Sequence, residues 1–122
     1  MLKKAFQIFL LCLTLSTTWA MAQAEPSMNE VYAAAQAGQM DKAQAMIQQV
    51  LVSHPNSAKA HYVRAELFAR EGKVRLAQES LQEAERLSPG LHFAKPESVS
   101  ALKAQLGEEF WSLVASLERT AP

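Results

Sequence analysis

Apolar positions in the middle of the chain fall into helical steps, and the same pattern is written twice. In GKVRLAQESLQEAERLSP, residues 72–89, Val74, Ala77, Leu81, Ala84 and Leu87 lie three or four positions apart. In GQMDKAQAMIQQVLVSHP, residues 38–55, the stripe is Ala43, Met46, Ile47, Val50 and Leu51. Such spacing puts apolar side chains on one face of an α-helix. Each stripe is preceded by a second one. His61, Ala65 and Phe68 follow a capping Ser57 and end before Gly72, while Val31 and Ala34 end before Gly38. Two antiparallel helix pairs result, each turning at a glycine.

The duplication keeps one offset. Gly38 and Gly72, Ala43 and Ala77, Gln44 and Gln78, Gln48 and Gln82, and Pro55 and Pro89 are each 34 positions apart. A period of this size marks a stacked repeat, in which one unit cannot bury its apolar face without its neighbour. Small Ala43 and Ala77 let paired helices approach, and Ile47 and Leu81 fill the space beside them. The expected core is Gly38, Ala43, Ile47, Ala65, Phe68, Gly72, Ala77, Leu81 and Ala84.

Two units are fewer than the roughly three that make a stable array, so the open end needs a cover. Pro96-Glu97 starts a further stripe of Val99, Leu102, Leu106, Phe110, Leu113 and Leu117, which predicts a C-terminal capping helix over 95–119. Gly107 lies inside it and predicts either one helix or a pair, the second exposing a ridge of Phe110, Trp111 and Leu113. The connection Gly90–Lys95 is apolar for a loop, and Leu91 or Phe93 is expected to tuck under the cap.

The first residues read differently. Lys3 and Lys4, an apolar run over Ala5–Leu15 and the small-x-small site Ala20-Met21-Ala22 have the order of a secretory signal peptide, 1–22, with cleavage after Ala22 or Ala24. The run is shorter than the ~20 residues of a membrane span, which argues against a transmembrane anchor. Cys12, the single cysteine, leaves with it, so neither disulfide nor thiol chemistry is expected in the mature chain. Removing Lys3 and Lys4 takes the basic count from 12 to 10 against 12 acidic residues. A mildly acidic, mixed surface speaks against nucleic acid as a partner.

These residues together resemble the tetratricopeptide repeat, a 34-residue helix pair. The family favours small residues at its eighth and twentieth positions, a ring at the eleventh, a large apolar residue at the twenty-fourth, Ala at the twenty-seventh and Pro at the thirty-second. A unit over 58–91 supplies Ala65, Ala77, Phe68, Leu81, Ala84 and Pro89 at those places. A unit over 24–57 supplies Val31, Ala43, Ala34, Ile47, Val50 and Pro55, a degenerate match. Both depart at the fourth and seventh positions, with Ser27 and Glu30 in the first unit and His61 and Arg64 in the second. The resemblance implies an all-α fold, a right-handed α-solenoid of two hairpins plus the C-terminal cap. It also implies a concave groove receiving a protein or peptide partner on Met28, Tyr32, Ala35 and Gln36, then Lys59, Tyr62, Glu66, Ala69 and Arg70. Helical spacing agrees, since 59, 62, 66 and 70 lie on a different face from 61, 65 and 68. For any one of these residues the preferred reading is structural, with Glu66 and Arg70 a solvated i,i+4 pair and the tyrosines shielding the core edge. Met28 and Tyr32 stand where a carboxylate clamp of the family has Lys and Asn, which argues against that ligand.

Catalytic chemistry finds no foothold in the pattern. His54 and His61 lack further ligands at metal spacing, Glu83 and Glu85 point to different sides of a helix, and no nucleophile motif or phosphate loop occurs. The expectation is a noncatalytic binding module without cofactor or metal, exported to the periplasm or secreted. The alternative is a structural subunit that self-associates or docks through Phe110, Trp111 and Leu113.

Overall fold

The structure, a computed structural model, describes residues 24–120, the side chains of residues 108–113 excepted. The signal peptide expected over 1–22 lies outside the described residues. The fold is all-α, with six helices among the described residues: α1 Met28–Gln36, α2 Met40–Ser53, α3 Ala58–Arg70, α4 Val74–Leu87, α5 Pro96–Leu106 and α6 Glu108–Thr120.

Local chemistry sets the ends. Ser27 accepts from the Glu30 amide at 3.2 Å and Glu30 Oε2 accepts from the Ser27 amide at 2.7 Å, a reciprocal capping box that starts α1. The departures at Ser27 and Glu30 thus make a helix start, and α1 has 9 residues against the 13 of α3. Ser57 caps α3 through the Ala60 amide, and Pro96 occupies the first turn of α5. Gly38 and Gly72 adopt φ of 77° and 73°, and each amide donates to the carbonyl three residues back, Ala35 and Ala69, at 3.1 Å. That left-handed backbone strains any residue bearing a Cβ. The two bends share one geometry.

Packing follows the sequence order. α1 packs on α2, α2 on α3, α3 on α4, α4 on α5 and α5 on α6, while α3 also touches α1 and α5. The core forms two clusters that meet at α3. Ala60, Val63 and Leu67 face the first cluster, with Val31, Ala43 and Ile47; Ala65, Phe68 and Ala69 face the second, with Ala77, Leu81, Ala84, Leu102 and Leu106. Helix α3 is therefore buried on two sides. One polar bridge recurs between pairs. Gln44 Nε2 donates to Glu71 Oε2 at 2.7 Å, from α2 to the end of α3, and Gln78 Nε2 donates to the Leu106 carbonyl at 2.8 Å, from α4 to the end of α5.

Ala43, Ile47, Ala65, Phe68, Ala77, Leu81 and Ala84 are buried as the pattern predicts, whereas Gly38 and Gly72, expected in the core with them, are exposed because they form the bends between helices. Met46, His61 and Val99 are only half-buried, and three further stripe positions differ. Val74 opens α4 at the turn and is 44% exposed; Leu117 is 61% exposed because, among the described residues, α6 packs on α5 alone; and Leu87 is half-buried. Of the one helix or pair expected over 95–119, two helices are present, separated at Gly107. Among the described residues no helix is long and apolar enough to cross a membrane.

Candidate functional site

The capping box and the bend at Gly38 fix the register of α1 beside α3, and this brings Tyr32 against Glu66. The Tyr32 hydroxyl donates to Glu66 Oε1 at 2.5 Å, joining residues 34 positions apart. Burial, then the hydrogen bond to Glu66 and its negative charge, push the Tyr32 pKa well up. Burial also raises Glu66 above the ordinary carboxylate value; the hydrogen bond from Tyr32 and the charge of Arg70 pull it partly back. Arg70 acts without an ion pair: the expected Glu66–Arg70 pair does not form, and the carboxylate turns to the neighbouring helix instead.

Tyr62, one turn before Glu66, departs from the expectation of an open groove residue. It is 4% exposed, and its hydroxyl is buried with no hydrogen-bond partner. Its ring and the Phe93 ring form a T-shaped pair, with centroids 5.7 Å apart and planes at 79°. Burial, followed by the charge of Glu66, pushes its pKa up to about 12. Lys59, Arg70 and Gln36 are exposed. The α1–α3 face thus combines exposed donors with one half-buried carboxylate and a covered tyrosine. It can hold polar and charged groups of a ligand; it brings no nucleophile and base together.

The other singled-out residues take structural partners. His61 Nε2 donates to the Pro55 carbonyl at 2.8 Å, His54 pairs with Glu25 at 3.1 Å, and the Arg64 guanidinium lies 5.2 Å from the centre of the Phe68 ring. The departures at His61 and Arg64 thereby fasten α3 to the preceding loop and cover Phe68. Among the described residues no three His, Cys, Asp or Glu side chains are grouped to hold a metal ion. Phe110, Trp111 and Leu113 belong to α6, but their side chains lie outside those described; Val114 is half-buried beside them. A cavity of about 380 Å³ opens between α4, α5 and α6, lined by Gln82, Glu85, Arg86, Lys103, Val114 and Glu118.

Sequence reasoning missed the position of Phe93 over Tyr62. The only signal was the apolar character of a loop that carries no helical period. No family model, curated protein or solved structure matches the chain.

Proposed function

We propose that the chain is a noncatalytic interaction module of tetratricopeptide type, exported to the cell envelope, whose helix pairs stack as a right-handed α-solenoid and bind a segment of a partner protein across the face of α1 and α3. The observation that carries this reading is the bond between Tyr32 and Glu66, which makes one continuous polar surface from two helices a repeat apart. The glutamine bridges support the stacking, because Gln44 and Gln78, 34 positions apart, each donate to the end of the helix that follows their own, Gln44 to the Glu71 carboxylate and Gln78 to the Leu106 carbonyl. Lys59, Arg70 and Gln36 supply exposed donors to that surface, and the few residues near its centre are expected to dominate affinity.

Affinity capture from envelope extract tests the reading. Lys59→Glu with Arg70→Glu is expected to abolish recovery of the partner, while Phe110→Ala with Trp111→Ala leaves it unchanged. The opposite result supports the second reading, a structural subunit docking through its C-terminal ridge. Leu117, exposed on a helix that among the described residues packs only on α5, favours that alternative. Export is tested separately by fusing residues 1–24 to a reporter active only outside the cytoplasm.

A further inference from the structure

The connection between α4 and α5 is built with more constraint than a spacer needs. Leu91 holds a φ of 49°, a left-handed conformation uncommon for a leucine, and is 1% exposed within the second core cluster. The Gly90 amide donates to Glu85 Oε2 at 3.1 Å, and the Ala94 amide to the Leu91 carbonyl at 3.0 Å. The loop is thus pinned before and after Leu91, and this pinning delivers Phe93 onto Tyr62. Phe93 nevertheless stays 40% exposed, so it is not a core residue. The Tyr62 hydroxyl is left buried and unpartnered, which is an unfavourable state for a polar group. An aromatic seat is therefore occupied by the chain's own ring, incompletely and at a cost.

Resting on the groove reading above, we propose that Phe93 is a tethered occupant of the α3 face, and that the partner segment carries an aromatic side chain which displaces Phe93 from Tyr62. The seat selects a ring because it already holds one in a T-shaped pair, at a spacing suited to aromatic contact. The incoming segment also brings backbone polar groups within reach of the Tyr62 hydroxyl, which Phe93 cannot satisfy. A tether keeps its group at high local concentration, so only a ligand with further contacts to Lys59, Glu66 or Arg70 competes. The lid thereby screens out isolated aromatic residues.

The probe is a synthetic peptide copying residues 89–96, PGLHFAKP, with a control in which its phenylalanine is alanine. In Phe93→Ala, carbon-13 NMR of the tyrosine ring is expected to show the Tyr62 titration falling from about 12 toward the free value of about 10. Adding the phenylalanine peptide restores the high value, with an affinity at least about tenfold better than for the wild type, while the control peptide does neither. Phe93→Leu, which keeps apolar bulk without the ring, gives the same ranking and serves should Phe93→Ala lose its helical signal. An unchanged Tyr62 titration in both variants, or equal binding of the peptide to variant and wild type, overturns the lid. Partner capture that drops on Arg70→Glu but is indifferent to Phe93→Ala also overturns it and leaves the groove reading standing; indifference to both overturns the two together.

Discussion

At the scale of single residues the Tyr32–Glu66 bond is the most informative contact, because it joins equivalent positions of successive pairs. Tyr32→Phe leaves a half-buried carboxylate without its donor and is expected to cost about 1–3 kcal/mol in urea unfolding, while Glu66→Gln, whose amide oxygen still accepts, costs less. The pH dependence has a definite sign. Glu66 titrates higher folded than unfolded, so its contribution is fully present below the unfolded pKa and is lost as pH rises through the folded one. The stability of the wild type relative to Glu66→Gln should therefore fall as the pH is raised from about 4 to about 7; a flat difference contradicts the assigned burial. Glu30, held low by its bonds to Ser27, works the other way, adding stability above its unfolded pKa that is lost on acidification through the folded pKa. Ser27→Ala should cost about 1 kcal/mol. Ser27 and Glu30 show how much was legible at this scale: the sequence marks them as departures from a repeat, but reading them as a cap requires knowing where α1 starts.

Helices and bends were the most legible level, and the reason is physical. Periodic burial leaves a periodic record, so Ala43, Ile47, Ala77, Leu81 and Ala84 could be assigned from spacing alone. Leu81 is fully buried between paired helices, and Leu81→Ala should cost about 2–5 kcal/mol by chemical denaturation. Gly72→Ala forces a Cβ into left-handed backbone and should cost about 1–2 kcal/mol, with Gly38→Ala similar because its bend is the same. Less legible was the second stripe of α3. Ala60, Val63 and Leu67 also step by three and four, yet two overlapping stripes on one helix blur into general hydrophobicity. Val74 and Leu117 fit a stripe but lack a neighbour to cover them, since burial at the end of an element depends on what lies beside it.

Across the whole molecule, α3 is the keystone: it separates two core clusters and contributes residues to both. Removing a hairpin should therefore cost more than its own contacts, as expected when each unit leans on the next. The candidate site was legible only in part. Lys59, Glu66 and Arg70 share a face by spacing, but the covering of Tyr62 depends on a loop whose path is set by the burial of Leu91, a tertiary event with no periodic trace. The proposed binding function requires that a partner meet the face of α1 and α3. Site-specific photocrosslinkers placed singly at Gln36, Lys59 and Arg70, and at Val52 and Gln48 as exposed positions on α2, test it most directly in living cells. One common crosslinked protein is expected from the first three positions and none from the other two. The same product from Val52 or Gln48, with none from Lys59 and Arg70, would contradict it.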